Sequence, residues 1–388
     1  MKIVHVCLCG TFGEDYAYQD NLLPRYHKVL GHAVTVIAPI YCKINTRTGE
    51  EEMATPGCKI LKDGVKLIRL APLLRNKINI RLHLVKGLYS TLCLESPDLL
   101  FVHGIDSLSY YECVRYCKKH KSTKLVFDNH ADWHNSYHNR IALLWGKYII
   151  RNVIVKPALK MVRVFYGVTP ARCSFLQEMY SIPQNLIDLL PFGADDNELN
   201  IEHRQELRNN VRETYNISND DFLVVTGGKI DKRKNIHILA RAVDNLTNLK
   251  VKLLIFGEIN DEMKPYFDQI KSDRIITIGW VPSSDVYRYF YAAEFVVFTG
   301  LHSVLWEQML ASKVPCAITR IKGFEHVNFN DNCILLDNCS EENLSAIISN
   351  VYNDQELYSG LKRGADSDKA NQFRYSSIAQ KVIDDCIK

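Results

Sequence analysis

The sequence predicts an α/β protein with two Rossmann-like domains, each built on a doubly wound parallel sheet, that face a central cleft. Short β-branched strands alternate with amphipathic helices through both halves of the chain, an order typical of parallel sheets with crossover helices. The 388 residues are also long enough for two domains. We place the domains at residues 1–193 and 194–365, and we expect a C-terminal helix at about residues 366–388 to pack back on the first domain.

The first domain opens with a βαβ unit. Residues 3–9 predict a strand, residues 22–30 have the apolar spacing of a helix, and residues 33–38 predict the next strand. Gly13, in the loop after the first strand, would let the backbone approach a ligand. The remaining predicted elements are strands at 66–70, 99–102, 124–127 and 165–170, helices at 78–94, 107–120 and 172–179, and an irregular excursion at 43–64.

One histidine of the first domain is a candidate catalytic residue. His130 follows the strand at 124–127, in the segment Asp128-Asn-His-Ala-Asp132. Ligands of open α/β sheets bind at the carboxyl ends of the strands, which is where this segment begins. The alternative is a loop histidine that is hydrogen-bonded to the backbone.

A basic stretch at residues 140–163 follows. Between Trp133 and Gln177 there are seven basic residues and no acidic one, with apolar residues and Trp145 among them. Such a stretch suits an anionic membrane surface. The alternative is a pair of packed helices, divided at Pro157, with one solvated basic face.

The second domain begins with a candidate anion site. Residues 223–226 predict a buried strand, Gly227-Gly228 a turn, and residues 236–243 an amphipathic helix, with Lys229 and Lys234 between them. A strand–glycine–helix corner collects backbone N–H groups that can bind phosphate. An ordinary βα turn with a solvated basic loop is the alternative. The elements predicted after it are strands at 251–256, 275–278, 295–298 and 315–318, helices at 284–293 and 303–311, the latter with Ser303 as N-cap, and helices within 341–388, the last at 376–387.

Composition restricts the partners. Residues 1–190 contain 25 Lys and Arg against 15 Asp and Glu, whereas the remainder contains 23 against 29, so the two halves present different surfaces. Because the second half is acidic and the first lacks RNA-binding motifs, no nucleic acid partner is expected. The 12 cysteines include no CxxC pair, which favours reduced core cysteines, a cytoplasmic protein and no structural zinc. No apolar run approaches the length of a membrane span.

Several motifs resemble those of the GT-B glycosyltransferases, in particular the retaining family-4 type, over nearly the whole chain. Residues 31–37 resemble that family's "GHEVTV" strand, and Val168-Thr-Pro170 with residues 190–195 resembles the end of its first domain. Gly228-Lys229 with Lys234 is similar to G-R-x(4)-K-G. Glu307 matches the second glutamate of E-x7-E, while Thr299 stands in the place of the first.

The resemblance implies a hexosyltransferase that moves a sugar from a nucleotide diphosphate sugar to a glycan or lipid-linked acceptor with retention of configuration. The implied setting is bacterial surface polysaccharide synthesis, in the cytoplasm and at the inner face of the cell membrane. Relatives imply a diphosphate grip by Lys229 and Lys234, a ribose contact by Glu307, and a sugar or acceptor contact by His130. The other implied donor-binding residues are Gly13, Gly228, Gly257, Trp280, Val281, His302, Ser303 and Val304.

Neither a cofactor nor a metal ion is expected, because a cationic clamp on the phosphates makes a divalent ion unnecessary. Replacement of the first glutamate by Thr299 leaves the sugar and its binding geometry open. Two alternatives therefore stay open: a non-catalytic protein that binds nucleotide sugars, and a GT-B nucleotide-sugar epimerase.

Overall fold

The computed structural model describes the whole chain except residues 15, 44–49, 75–81, 134, 137–138, 271 and 388. It contains two compact units: unit 1 is residues 1–191 with residues 375–388, and unit 2 is residues 192–374. The boundaries predicted from sequence lie at 193/194 and 365/366. The 3₁₀ helix Asp368–Phe373 belongs to unit 2, and only the last helix, Tyr375–Ile387, belongs to unit 1.

Unit 1 contains an eight-stranded sheet and a two-stranded hairpin. Its strands are β1 (Lys2–Cys7), β2 (Ala33–Pro39), β3 (Tyr41–Lys43), β4 (Glu51–Met53), β5 (Gly57–Ile60), β6 (Lys66–Leu70), β7 (Leu99–His103), β8 (Lys124–Asn129), β9 (Val162–Gly167) and β10 (Ile187–Leu189). The order in the large sheet is β10-β9-β8-β7-β1-β2-β6-β5, and all neighbours are parallel except β5 and β6. The antiparallel pair β3 and β4 forms the hairpin. The predicted irregular excursion at 43–64 was wrong where β4 and β5 lie, because their polar, exposed residues carry no apolar pattern.

The helices of unit 1 lie mostly where they were predicted. They are Gln19–Val29, Leu88–Glu95, Tyr110–Lys119, Arg140–Leu144, the π-helix Trp145–Val155, Lys156–Ala158, Pro170–Tyr180, the 3₁₀ helix Gln184–Leu186 and Tyr375–Ile387. The helix predicted at 78–94 falls partly on residues outside the described part, and in the described part it begins only at Leu88, after Val85 has bridged to Pro72. The predicted break at Pro157 was wrong. One helical run extends from Arg140 to Ala158, and Pro157 lies at one of the first two positions of the short α-helical turn Lys156–Ala158, where proline is tolerated.

Both faces of the large sheet are buried. On β1, Val4 and Val6 pack into one core cluster, and Ile3 and Cys7 pack into the cluster on the opposite face. This alternation is typical of a strand in the middle of a parallel sheet. The last helix, Tyr375–Ile387, completes the second cluster and so belongs to the core of unit 1.

Unit 2 contains a six-stranded, fully parallel sheet. Its strands are β11 (Phe222–Gly227), β12 (Val251–Phe256), β13 (Ile275–Gly279), β14 (Phe295–Phe298), β15 (Cys316–Thr319) and β16 (Cys333–Leu336), of which β16 was missed from the sequence. The order is β13-β12-β11-β14-β15-β16. The chain therefore reverses its direction of winding between β11 and β14, and the carboxyl ends of these two strands form the switch point at which open α/β sheets bind ligands.

The helices of unit 2 cover its sheet. They are Asp196–Leu199, Arg204–Thr214, Ile236–Asp244, Lys264–Phe267, Val286–Ala292, Leu305–Ala311, Glu341–Asn353 and Gln355–Ala365, with 3₁₀ turns at Ile201–His203, Lys232–Lys234, Asp261–Met263, Glu325–Val327 and Asp368–Phe373. The helix predicted from Ser303 begins at Leu305. Ser303 contributes its backbone carbonyl, which accepts from the Trp306 N–H at 3.0 Å, so the predicted hydroxyl N-cap was wrong.

Two Rossmann-like units with parallel sheets confirm the predicted fold class. Among the helices in the described ranges, none combines the length and the hydrophobicity needed to cross a bilayer.

Candidate functional site

The switch point of unit 2 brings together two of the loops that the sequence analysis singled out. The loop after β11 carries the basic residues, and the loop after β14 begins with Thr299 and Gly300. A Cβ atom on Gly300 would lie 2.4 Å from the Lys234 Cα, so only glycine lets these two loops approach so closely. Gly300 is therefore a packing requirement of the site.

Thr299 connects the two loops by hydrogen bonds. Its hydroxyl donates to the Lys234 carbonyl at 2.7 Å, and its own carbonyl accepts from the Asn235 side-chain amide at 3.1 Å. The side chain is 2% exposed. The residue that replaces the family's first glutamate thus holds the backbone of the basic loop in place.

The two lysines of the predicted diphosphate grip have different environments. Lys234 is half-buried at the end of the 3₁₀ turn, and its ammonium donates to the Leu301 carbonyl. Burial lowers the pKa of Lys234, and the nearby Asp231 carboxylate opposes that shift. Lys229, by contrast, is exposed. An ammonium that has lost part of its hydration attracts an anion more strongly than an exposed one, so Lys234 is the stronger candidate for a phosphate ligand.

Glu307 is fully buried between two histidines. Its Oε1 atom accepts from His302 Nε2 at 2.8 Å and from His326 Nε2 at 3.1 Å. Burial alone would raise the pKa of the Glu307 carboxyl, but the two imidazoles more than offset that effect and hold the pKa at about 2. The carboxylate is therefore ionised throughout the physiological range, and its contact with a ribose stays a prediction.

Aromatic rings surround this carboxylate–histidine group. The His302 ring lies 5.2 Å from Trp306 and 4.7 Å from Phe324, measured between centroids. His302 was predicted from the sequence, but His326 and Phe324 were missed, because no motif marks the turn Gly323-Phe-Glu-His-Val327. A search for polar residues shortly after every parallel strand would have included His326, which follows β15.

The remaining predicted donor residues of unit 2 lie along the same edge of the sheet. Gly257 has a φ of 123°, and a Cβ atom there would lie 1.9 Å from the Gly228 carbonyl oxygen. Its N–H donates to the Gly279 carbonyl at 2.6 Å, so the turns after β11, β12 and β13 are interlocked. Trp280, next in the chain, is 38% exposed. Val281 is half-buried, and the backbone carbonyl of Val304 accepts from the Gln308 N–H at 3.1 Å.

A small pocket lies beneath the two loops. It encloses about 10 Å³ and is lined by residues that include Thr226, Lys234, Thr299, Leu301 and Trp306. Sites for drug-sized ligands usually enclose about 300–1,000 Å³. A pocket of this size holds about one water molecule and does not accommodate a nucleotide sugar as it stands.

Unit 1 presents its own polar site at the carboxyl end of β8. His130 is 36% exposed, and its Nε2 lies 3.2 Å from Asp128 Oδ2. Asp128 is fully buried and also accepts from the Gln19 amide at 3.1 Å and from the Gly104 N–H at 2.8 Å. The carbonyl of Gly13 accepts from the Asn21 amide at 2.7 Å, which ties the first loop to the following helix. His130 thus faces a carboxylate, not only backbone as in the alternative interpretation.

A second histidine shares that carboxylate. His103 Nδ1 lies 3.0 Å from Asp128 Oδ2 and 3.2 Å from Asp20 Oδ1. Potential metal ligands cluster here: His103, Asp128 and His130 in one group, and Cys7, Asp20 and His103 in another, each with ligand atoms within 4.8 Å. Because the nitrogen and oxygen atoms pair directly at 3.0–3.2 Å, we interpret these histidines and carboxylates as a network of ion-pair contacts. Within the described ranges of unit 2, no comparable group of three ligands occurs.

Comparisons with known proteins agree with this architecture. Residues 208–368 match the family model for glycosyl transferases group 1. The lipopolysaccharide core biosynthesis glycosyltransferase LpsD of Rhizobium meliloti is 26% identical over 171 residues, which cover 42% of this chain and 49% of that protein. A glycosyltransferase structure from Rickettsia africae ESF-5 superposes with a TM-score of 0.71 at 14% identity, over 99% of this chain and 97% of that one. HepE from Anabaena in complex with UDP superposes with a TM-score of 0.68 at 13% identity, over 99% of each chain.

The fold is therefore that of the GT-B glycosyltransferases. More specifically, residues 208–368 match the glycosyl transferases group 1 family, which agrees with the resemblance to GT-B glycosyltransferases drawn from the motifs. The chain spans about half the length of the curated relatives it matches, at 51%, 49% and 55%.

Proposed function

We propose that this protein is a glycosyltransferase that transfers a sugar from a nucleotide diphosphate sugar to a hydroxyl group, with the donor bound by unit 2. The observation that carries the proposal is the glycosyl transferases group 1 match over residues 208–368, which includes Lys234 and Glu307. Both residues lie on segments that follow the carboxyl ends of the switch-point strands. The superposable HepE structure contains UDP, which supports a nucleotide as part of the ligand.

The main chemical requirement of the site is to stabilise the charge that develops on the diphosphate leaving group. As the bond from the anomeric carbon to the diphosphate oxygen breaks, its electron pair stays on the diphosphate. Lys234 and the backbone N–H groups near residues 302–304 would stabilise this charge, which is the usual dominant contribution in such sites. The acceptor oxygen forms the new bond to the anomeric carbon and gives up its proton to the departing diphosphate oxygen. We infer attack on the face that the diphosphate leaves, hence retention, from the family resemblance.

Glu307 would orient the ribose. Its Oε2 atom has no hydrogen-bond partner among the described residues, whereas Oε1 is held by the two histidines. A buried carboxylate oxygen without a partner is costly and gains from a hydroxyl donor. Since Glu307 is 0% exposed, ribose contact requires the His302 loop to move. We propose no metal ion for this step, because Lys234 supplies the cation.

The acceptor is proposed to be a lipid-linked glycan at an anionic membrane surface facing the cytoplasm. In the helical run 140–158, Ile141 is 76%, Leu144 54% and Tyr148 59% exposed, while Ile150 and Ile154 are buried in unit 1. Exposed basic residues flank these apolar side chains, namely Arg140, Lys147 and Lys156. Apolar residues that insert among lipids and cations that meet anionic headgroups form a typical peripheral membrane face. The polysaccharide setting is supported by the similarity to LpsD.

The donor proposal is tested by thermal denaturation with UDP, GDP, ADP, CMP and their common sugars. A ligand at 100 times its Kd stabilises the folded state by about 2.7 kcal/mol. We expect one nucleotide to stabilise the wild-type protein, and Lys234→Ala and Glu307→Ala to abolish that effect. Lys232→Ala, in the same turn but exposed, is the matched control and should retain it. Stabilisation by no nucleotide would overturn the proposal.

Two further outcomes identify the alternatives. Binding of a nucleotide sugar without turnover, across a panel of glycan and lipid-linked acceptors, would favour the non-catalytic binding protein. Formation of an isomerised sugar with no acceptor present would favour the epimerase. Transfer of radiolabelled sugar to an added acceptor supports the glycosyltransferase, and NMR of the product's anomeric proton tests retention.

A further inference from the structure

Three buried histidines of unit 1 form a continuous hydrogen-bonded row, called here the histidine chain: His27, His5 and His103. His27 Nδ1 lies 3.0 Å from His5 Nε2, and His5 Nδ1 lies 2.9 Å from His103 Nε2. At one end His27 Nε2 lies 3.2 Å from the Ala379 carbonyl oxygen, and at the other His103 Nδ1 lies 3.0 Å from Asp128 Oδ2. The exposed fractions of the three histidines are 0%, 0% and 3%. Neither the sequence motifs nor the proposed chemistry accounts for this row.

The backbone carbonyl at one end sets the direction of every hydrogen bond in the chain. A carbonyl only accepts, so His27 Nε2 must carry a proton and donate. If His27 is neutral, its Nδ1 then has a lone pair, and His5 Nε2 must donate to it. By the same reasoning His5 Nδ1 accepts, and His103 Nε2 donates to it.

The carboxylate at the other end then requires one more proton. His103 Nδ1 lies 3.0 Å from the Asp128 carboxylate, outside hydrogen-bond geometry, and a nitrogen lone pair at that distance would be repelled, so Nδ1 must also carry a proton. The histidine chain therefore needs one N–H proton for each of its four contacts, whereas three neutral imidazoles carry only three such protons. A neutral chain would leave one buried contact with two acceptors facing each other, which is the costly arrangement.

The surroundings place this extra charge on His103. The groups that face its ring are His5 and Cys7 on β1, Asp20 on the first helix and Asp128 on β8. Burial disfavours the charged ring, but Cys7, Asp128 and Asp20 outweigh it and raise the pKa of His103 well above its usual range. Burial also raises the pKa of Cys7 to about 11, so the two carboxylates are the charges that matter near neutral pH.

The other two rings have the opposite tendency. Burial and the neighbouring rings hold the pKa of His5 well below its ordinary value. Burial lowers the pKa of His27 to about 3, despite the hydrogen bond to Ala379. The lowered pKa values of His5 and His27 agree with two neutral imidazoles, through which the direction of the hydrogen bonds passes to one charged ring, His103.

We propose that His103 is a permanent imidazolium, held in that state by the polarity of the histidine chain, and that it positions His130 by keeping Asp128 an ionised acceptor. His103 shares Asp128 Oδ2 with His130, so the charge on His103 offsets the cost of burying the carboxylate to which His130 is anchored. His103 is a positioning residue, not a catalytic one. The inference concerns unit 1 and does not depend on the proposed transferase activity.

The hydrogen-bond count predicts opposite results for two substitutions at His27. His27→Gln keeps the polarity, because the amide N–H₂ can donate to the Ala379 carbonyl and the amide oxygen can accept from His5. His27→Phe removes the anchor. His5 can then carry its proton on Nδ1 and donate to His103 Nε2, and His103 can release its Nε2 proton to solvent, so neutral rings satisfy both remaining contacts. His27→Leu is a second variant of the same kind if the phenyl ring prevents folding.

The experiment is ¹⁵N NMR of the histidine side chains in the full-length protein at pH 8, above the ordinary histidine pKa of about 6.5. In the wild type and in His27→Gln, we expect both ring nitrogens of His103 to be protonated. In His27→Phe we expect a neutral His103 protonated at Nδ1 alone. His120→Phe, an exposed histidine outside the chain, should leave the His103 signals unchanged.

Three results would overturn the proposal. A neutral His103 in the wild type at pH 8 would show that this ring is not an imidazolium. An identical His103 spectrum in His27→Phe and His27→Gln would show that the histidine chain does not control the protonation of His103. Stoichiometric zinc in the wild-type protein by mass spectrometry, lost on His103→Gln, would show that a metal ion occupies the position assigned to the proton. None of these measurements depends on sugar transfer, so they test the proposal for His103 even if the transferase proposal fails.

Discussion

Glu307→Gln tests the carboxylate–histidine group of unit 2 most directly. The substitution keeps the size of the side chain but removes the charge that two imidazole N–H groups share. The folded-state pKa of about 2, against 4.5 for an ordinary glutamate, corresponds to about 3 kcal/mol of stability at pH 7, at 1.36 kcal/mol per pKa unit. We expect Glu307→Gln to be less stable than the wild type by roughly that amount.

The sign of the pH dependence follows from the lowered pKa. The contribution of the Glu307 charge is complete above pH 4.5 and is lost as the pH falls toward 2, because the unfolded carboxyl takes up its proton first. The difference between wild type and Glu307→Gln should therefore fall from about 3 kcal/mol at pH 7 to about 1.5 kcal/mol at pH 3.

Urea unfolding followed by tryptophan fluorescence measures this difference. Trp306 is buried, and its ring centroid lies 5.2 Å from that of His302, so its emission reports on the region around Glu307. Glu356→Gln, an exposed glutamate of unit 2, is the control and should change stability by less than about 0.5 kcal/mol. Equal stabilities of wild type and Glu307→Gln at pH 7, or a difference that stays constant down to pH 3, would refute the reasoning.

Three further predictions concern the loops and the membrane face. Thr299→Val removes the hydroxyl that donates to the Lys234 carbonyl and should cost about 1 kcal/mol in urea unfolding, with a smaller nucleotide-induced rise in Tm; an unchanged nucleotide response would separate Thr299 from the donor site. Gly300→Ala puts a methyl group 2.4 Å from the Lys234 Cα and should cost about 1–3 kcal/mol; full stability with normal nucleotide binding, measured by calorimetry, would contradict the tight approach of the loops. Ile141→Glu with Leu144→Glu should reduce co-sedimentation with anionic vesicles at unchanged Tm, since both side chains are more than half exposed. The matched control is the same change at an exposed leucine of another helix, Leu94→Glu, and equal vesicle binding by both variants would count against a membrane face at 140–158.

The sequence predicted the parallel strands well, because strands buried on both faces read as continuous apolar runs. Leu223–Thr226 and Phe295–Phe298 are such runs, and both lie within strands. β4 and β5 were missed because exposed strands such as Gly57–Ile60 are held by pairing with a neighbour, which leaves no mark in their own sequence. The continuous helix through Pro157 was missed because the sequence does not show that Pro157 falls at the start of a new α-helical turn, where proline costs little.

The position of a candidate residue was predictable where it depends on local sequence. Lys234 and Glu307 follow strands at motif spacing and lie at the switch point of unit 2, while their roles stay predictions. The residues that contact Glu307 and Asp128 were harder to predict from the sequence, because His326 is 19 residues from Glu307 and His103 is 25 residues from Asp128. Only the parallel sheet, which brings successive strand ends to one edge, places these residues side by side. Burial of Glu307 likewise depends on packing and could not be read from the motif.

The path of the chain through the two units has a consequence for the order of synthesis. Unit 2 occupies residues 192–374 and is complete on the ribosome before the last helix of unit 1 has been made. Until Tyr375–Ile387 docks, one core cluster of unit 1 lacks the helix that covers it. The same helix carries the Ala379 carbonyl that ends the histidine chain. A nascent unit 1 therefore has its strands but not the acceptor that orients its histidines, and the charge pattern around His130 becomes fixed only when the final helix arrives.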